Sequence, residues 1–227
     1  MLLELSYPLS ETAPKWPTNP DEKYYVVASP ENGDVNTTSS VYHHMHNGTH
    51  FDAPRHFDPK GQTIDELPVE DFYYTRPFVL KLNKQKGEMV TLADVRPHLE
   101  TLAGCDILFI YTGYSQYRAA QPEIFMNDFP YISAELAVYI RKCLPKLKAV
   151  AMDTLSVDSS ELGMIQGFPS HHALLETCEA YPERTLRVFE DVNISLLLAH
   201  PEIQSVCALP VRWVGLEAGP VGMLAVV

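Results

Sequence analysis

Apolar side chains come in short runs along this chain, and the spacing inside each run separates strands from helices. Asp106-Ile-Leu-Phe-Ile-Tyr111 is a continuous apolar block that stops at Thr112-Gly113, the pattern of a buried strand. Phe78-Val-Leu-Lys-Leu82 and Lys148-Ala-Val-Ala-Met152 predict strands on the same grounds, and Val206-Cys-Ala-Leu-Pro210 and Gly222-Met-Leu-Ala-Val-Val227 predict two more. Elsewhere the period changes. Ser133 to Leu144 carries apolar residues at 136, 137, 140 and 144 behind a serine cap and before Pro145, which predicts a helix. Thr91-Leu-Ala-Asp-Val95 predicts another, opening on a threonine cap. Residues 1 to 40 alternate short apolar stretches with turn formers such as Ser29-Pro-Glu-Asn-Gly-Asp34, so short strands and loops are expected there. The succession of strand, helix and strand predicts an α/β protein. No repeat, low-complexity tract or linker divides the chain, so one domain is expected over 1–227.

Composition narrows the function classes. Apolar residues make up 46% and aromatic residues 10%, enough for a substantial core. Twenty-nine acidic against seventeen basic side chains give a formal charge of -12, which disfavours nucleic acid and anionic membrane surfaces as partners. No basic leader and no long apolar run is present, so a soluble cytoplasmic protein is expected. Cys105, Cys143, Cys178 and Cys207 are far apart, with no C-x-x-C pair, and read as reduced, mostly buried thiols.

The candidate chemistry is concentrated in two patches that hold seven of the nine histidines: His43, His44, His46, His50 and His56, then His171 and His172. Within the first, His46-Asn-Gly-Thr-His50-Phe-Asp52-Ala-Pro-Arg-His56 sets three imidazoles and a carboxylate in eleven residues. These are donors that zinc and similar divalent ions accept at about 2.0–2.2 Å. In an extended segment His50 and Asp52 share a face with Cα atoms about 6.6 Å apart, whereas His46 would lie about 13 Å from His50. The chain must therefore fold back, and Asn47-Gly48 supplies residues that tolerate the bend. A zincin helix is the wrong model despite the i, i+4 spacing of His46 and His50, because the intervening residues include no glutamate and Pro54 resists helix continuation. A loop or strand-end site is expected, with His46, His50 and Asp52 as ligands. His56, beyond Pro54, is placed to exchange protons, the alternative being a fourth ligand or a support.

In the second patch, one imidazole of His171-His172 plus Glu190 would complete a second metal position bridged by Asp52; the competing reading packs His172 and leaves Glu190 at a strand end on the surface. Asp153 and Asp158, just past a strand, are read as carboxylates that orient imidazoles, the alternative being metal ligands. Trp16 and Phe51, with tyrosines 73, 74, 111 and 114, are candidate walls of a pocket that accepts an aromatic group, the alternative being ordinary core.

The motif H-x-G-T-H-x-D-x-P-x-H resembles that of the cyclase-like metal hydrolases, which include bacterial kynurenine formamidase and isatin hydrolase, and His46 to His56 fits each of its specified positions. The likeness continues through Leu5-Ser6, Pro8-Leu9, Trp16-Pro17, Asp65-Glu-Leu-Pro68, Tyr111-Thr-Gly113, Asp153 to Asp158, His171 to Leu175 and Gly215-Leu-Glu-Ala-Gly-Pro-Val221. The resemblance implies a single domain with a mixed, barrel-like β-sheet and surrounding helices, of the swivelling β/β/α type, assembled as a homodimer or homotetramer. It implies zinc, or manganese in its place, as one or two ions on residues matching His46, His50 and Asp52, with His171 and Glu190 holding the second and His56 transferring protons. The chain departs from the family in three places. Glu176 to Arg184 reads as an insertion between His171 and Glu190, Glu190-Asp-Val stands for E-N-L, and Gly219-Pro-Val-Gly222 lacks the closing arginine of G-S-P-V-R.

The expected activity is hydrolysis of the C–N bond of a small amide or formamide by metal-activated water, as in an arylformamidase. No serine stands in a G-x-S-x-G setting and no cysteine in a nucleophile motif, which argues against a covalent route. Two rivals keep the metal: a cyclase or dehydratase acting on a small carbonyl compound, and a non-catalytic metal sensor whose site is closed by His56.

Overall fold

The computed structural model describes residues 1–227. Thirteen strands run along the chain. The first six are β1 (Leu2–Glu4), β2 (Lys23–Ala28), β3 (Thr38–Tyr42), β4 (His50–Asp52), β5 (Tyr73–Tyr74) and β6 (Pro77–Lys81). There follow β7 (Met89–Val90), β8 (Ile107–Tyr111), β9 (Tyr131–Ile132), β10 (Ala149–Met152), β11 (Arg187–Glu190), β12 (Ser205–Pro210) and β13 (Ala218–Val226). Nine of them form one mixed sheet in the order β5-β12-β13-β4-β11-β10-β8-β6, with β1 also on β13. Strands β6, β8, β10 and β11 are mutually parallel, and β4 runs antiparallel to both its neighbours.

The path starts on β5 and ends on β6, and only Thr75-Arg76 separates those two strands in sequence. The ends of the sheet therefore come together, and the carboxylate of Asp106, at the head of β8, accepts the backbone N–H of both linking residues at 2.7 and 2.9 Å. The result is a single domain around a nearly closed, barrel-like sheet, the architecture that the family resemblance implies.

Period-two alternation sorts the strand residues into two cores. Ile107 and Phe109, Ala149 and Ala151, Phe51, Phe189 and Met223 point into the barrel. Leu108 and Ile110, Val150 and Met152, and Val188 point the other way, under the helices Ala134–Cys143 and Pro169–Leu175. The first of these helices opens on Ser133, whose Oγ accepts the Leu136 N–H at 3.2 Å, and it buries Leu136, Ala137 and Ile140 at the predicted spacing. Thr91 and Asp94 form a capping box for the short helix Leu92–Val95.

The predicted strands are present, and the last begins earlier than expected, at Ala218, because β4 extends its pairing across Gly219 and Pro220. Two expectations fail. Of the four thiols only Cys105 is buried, since Cys143 and Cys207 lie on the outward faces of their elements. Phe51 belongs to the barrel core, edge-on to Phe72 at 5.2 Å, and it does not line the cavity above His46 and His171 because the alternation that sends His50 and Asp52 outward turns it inward. No helix is long and apolar enough to cross a membrane.

Candidate metal centre and active site

Strand register assembles the floor of the site. His50 pairs with Glu190 across β4 and β11, and Asp52 pairs with Val188, so three ionisable side chains share the face that the helix Pro169–Leu175 covers. His171, in the first turn of that helix, drops onto them. His50, Asp52, His171 and Glu190 are each at most 3% exposed, a burial that charged groups tolerate only when paired or bound to an ion.

His46 reaches the same point by the expected fold-back. Gly48 at its turn has φ +67, a backbone conformation that favours glycine, and it packs against the Leu9 side chain. The Thr49 hydroxyl donates to the Asp191 carbonyl at 2.6 Å and accepts the Tyr7 N–H at 2.9 Å, which pins the start of β4. Below that turn, the buried Glu22 carboxylate accepts from the Asn47 side chain at 2.8 Å and meets His43 Nδ1 at 2.7 Å.

The distances describe a cluster built around Asp52. Its Oδ1 stands 3.0 Å from His46 Nδ1 and 3.4 Å from His50 Nε2, and its Oδ2 stands 3.5 Å from His171 Nε2. Glu190 bridges the other side, 3.3 Å from His50 Nε2 and 3.3 Å from His171 Nε2. Donors about 2.0–2.2 Å from a tetrahedral ion stand about 3.3–3.6 Å apart, which matches most of these separations. Both Asp52 oxygens and His50 Nε2 are buried with no hydrogen-bond partner. Orphaned buried acceptors of this kind are costly without a cation, so the donor set fits a divalent metal.

The imidazoles are aimed from behind. His50 Nδ1 meets the Gly48 carbonyl at 2.9 Å and His171 Nδ1 meets Asp158 at 2.7 Å, which leaves Nε2 of each ring free toward the cluster. Asp158 also accepts the Ser170 and His171 N–H groups at 3.0 and 2.9 Å, capping the helix whose first turn it orients. Its expected supporting role is thus met, whereas Asp153 touches no imidazole. Asp153 binds Thr112, Gly113 and Ser115, and so ties the ends of β8 and β10 together.

Glu190 is a buried strand residue rather than a surface one, and Val157 N–H donates to it at 2.7 Å. The segment Glu176 to Arg184 leaves this arrangement intact. It loops over the outer layer, where Arg141 donates to carbonyls of Glu176, Tyr181 and Glu183, while β11 returns Glu190 to register. His172 turns outward to Glu176 at 2.8 Å and takes no part.

The cluster's charge is reflected in its protonation. Burial alone would pull the His46 ring down, but Asp52, Glu217 and Glu190 outweigh it and push it up to about 9. Burial likewise opposes ionisation of Asp52, yet the surrounding imidazoles hold its carboxyl well below the usual range. His56 behaves oppositely: burial, reinforced by His46 and His171 against Asp52, lowers it to about 3, so its ring is neutral. That ring lies 4.1 Å from His46, centre to centre.

Above the cluster opens a cavity of about 390 Å³. Trp16, Phe57, Leu155 and Phe168 form its apolar side, and His44, His56 and Glu217 are among its polar lining. Of the aromatic residues singled out in the sequence, Trp16 lines it and tyrosines 73, 74, 111 and 114 do not. Sequence reasoning missed Phe57, Phe168 and Glu217. Glu217 lies 3.4 Å from His46 Nε2, and its only sequence signal is its place in Gly215-Leu-Glu-Ala-Gly-Pro.

Comparison with known proteins agrees with this architecture. A kynurenine formamidase of Geobacillus thermodenitrificans is 29% identical over 222 residues, covering 96% of this chain and 94% of its own. Isatin hydrolase A from Labrenzia aggregata, bound to benzyl benzoate, superposes with a TM-score of 0.79 at 18% identity over 99% of this chain and 93% of its own. An isatin hydrolase bound to the product analogue thioisatinate superposes with a TM-score of 0.82 at 16% identity, over 100% of this chain and 92% of its own. At those identities the two structures speak for the fold. The family model described as "Putative cyclase" matches residues 3–159, well over half the chain, and with the motif of His46 to His56 inside that span the protein belongs to the cyclase family.

Proposed function

We propose that this protein is a metal-dependent hydrolase that cleaves the C–N bond of a small aromatic amide or formamide. The observation that carries the reading is the set of orphaned buried donors, His50 Nε2 and both Asp52 oxygens, below a cavity with an aromatic wall. His46, His50 and Asp52 would hold one cation and Asp52, His171 and Glu190 a second, zinc before manganese because the donors are imidazole nitrogens and carboxylates at near-tetrahedral separations. When bound, a divalent ion supplies Lewis-acid polarisation and lowers the pKa of water.

The chain's own residues do the rest. Trp16, Phe57 and Phe168 take the aryl group and exclude water from one side, which points the amide at the floor. His56, whose ring lines the cavity 4.1 Å from that of His46, accepts a proton from water at a ring nitrogen and passes it to the departing nitrogen, as the water oxygen joins the carbonyl carbon and the C–N bond breaks. Formanilide would give formate and aniline.

A second reading rests on one observation: donor atoms of His46, Asp52 and His56 lie within 4.8 Å of one another, so His56 as a ligand would close the sphere and leave a sensor. Metal analysis of His56→Ala separates the two, since a shuttle keeps the metal and loses turnover. The decisive assay loads the protein with zinc or manganese and measures turnover of formanilide, N-formylkynurenine and isatin. Turnover of at least one is expected; a fully metallated protein inert to all three overturns hydrolysis in favour of cyclisation or dehydration.

The reading extends to a cytoplasmic homodimer or homotetramer. All four thiols are free, which fits a reducing compartment, and the hairpin of β2 and β3 exposes Tyr25, Val26, Val27 and Val41 at 52%, 66%, 65% and 61%, apolar area that a second copy would cover. Light scattering tests the assembly.

A further inference from the structure

Resting on the metal centre of the proposed hydrolase, we infer that Arg118 is a positioning residue: acting through Asp191, it fixes the backbone on which Glu190 and His50 stand, although it bonds to none of the metal donors. Glu190 is the last residue of β11 and His50 the first of β4, and the two are paired. One step further, where strand pairing ends, the Thr49 hydroxyl takes over by donating to the Asp191 carbonyl at 2.6 Å. Asp191 there has φ +52, a left-handed backbone that a residue bearing a Cβ keeps only when its surroundings hold it. Its N–H donates to the Thr154 carbonyl at 2.8 Å, and its fully buried carboxylate accepts Nε and Nη2 of Arg118 at 2.7 Å each. A two-pronged bond of this kind fixes the plane of the carboxylate as well as its distance.

Arg118 comes from the short helix Tyr117–Ala120. Its guanidinium lies 3.7 Å over the Tyr7 ring, and the Tyr7 N–H donates to Thr49 Oγ1 at 2.9 Å. The contacts therefore close on themselves, from Arg118 to Asp191, Thr49, Tyr7 and back, around the residues next to two metal donors. Charge and position make opposite demands here. If the guanidinium acted through its charge alone, removing it would leave the centre one unit more negative and tighten cation binding. With a positioning role, its loss strands a buried carboxylate, which is too costly to stay in place unpaired. The left-handed turn then shifts, Glu190 and Thr49 shift with it, and cation binding weakens. Groups that orient ligands from behind commonly account for about 10- to 100-fold in metal affinity.

The test is a competition titration of the full chain with zinc and with manganese, run well below the melting midpoint of each variant so that only folded protein is read. Arg118→Met is expected to weaken cation binding by about 10- to 100-fold. Arg118→Lys, which keeps the charge but replaces the fork with a point donor, should lose about 3- to 10-fold. In Arg118→Met/Asp191→Asn a neutral side chain that tolerates the left-handed turn replaces the stranded carboxylate, so affinity should return to within about threefold of the unaltered protein. Unchanged or tighter binding in Arg118→Met overturns the inference, and so does a double variant as weak as the single one. Where Arg118→Met does not fold, the other two variants decide: a lysine variant that binds like the unaltered protein overturns the inference. Unaltered protein that takes up no cation overturns the metal centre and the inference together. If the variants bind in the expected order but formanilide, N-formylkynurenine and isatin all stay intact, the positioning role stands and the hydrolase reading fails.

Discussion

His50, Asp52 and Glu190 sit on adjacent strands in paired register and are almost wholly buried, whereas His46, His56 and Glu217 lie outside the strands and remain half-buried. Floor and mouth of the one site thus obey different rules. A strand position is held by neighbouring ladders, so the floor can hold charges at separations of 3.3–3.4 Å in a setting where misplacement would be costly. A loop position is set by a few side-chain anchors, such as Glu22 on Asn47, and can change without disturbing the sheet. Cation binding belongs to the floor, joined from the mouth by His46 alone. Proton transfer and selection among substrates belong to the mouth.

Four experiments would break or sharpen that division. Asp52→Asn should have the largest effect, because both orphaned oxygens lie on this residue and the bound ion contributes several kcal/mol of charge stabilisation; elemental analysis should find metal lost and assays a fall of about 10⁴-fold. His56→Ala should keep the metal and lower kcat by about 10²- to 10⁴-fold, and a metal-free variant would move His56 from mouth to floor. Asp158→Asn weakens the aim of His171 without removing a donor, so metal affinity should drop by about 10- to 100-fold in a competition titration.

The smallest effect concerns pH. The metal-free His46 ring, raised to about 9, must release its proton to bind, so metal affinity should rise with pH up to about 9 and then level off. For the metal-free fold the sign is opposite. A raised folded pKa means stability fully present below the unfolded value of about 6.5 and lost as pH climbs through about 9, which thermal melts with and without metal would register as diverging curves. Parallel curves would exclude His46 from the cluster.

The eleven residues from His46 to His56 carried most of the site in plain view, because ligand chemistry is a matter of residue type and the Asn-Gly bend is a local property. The same was true of the strands Ile107–Tyr111 and Ala149–Met152 and of the helix behind Ser133, where periodicity alone specifies the element. Glu190 was ambiguous for the opposite reason. Whether a carboxylate at a strand end is buried depends on which strand lies beside it, and only the antiparallel pairing with His50 answers that.

Phe51 marks the boundary. Its size and position in the motif suggested a pocket wall, yet a single residue's shift along a strand exchanges the two faces of the sheet. Glu217 and Phe168 reach the cavity from segments about 170 and 120 residues beyond His46, distances no local pattern spans. By itself the sequence determined the elements, the donor set and the bend that gathers it, since these follow from backbone preference and side-chain chemistry within a few residues. Tertiary structure alone decided which face each donor occupies, how deep it is buried and what charge stands at the mouth, because those depend on the closure of a sheet whose two edges meet at Thr75-Arg76.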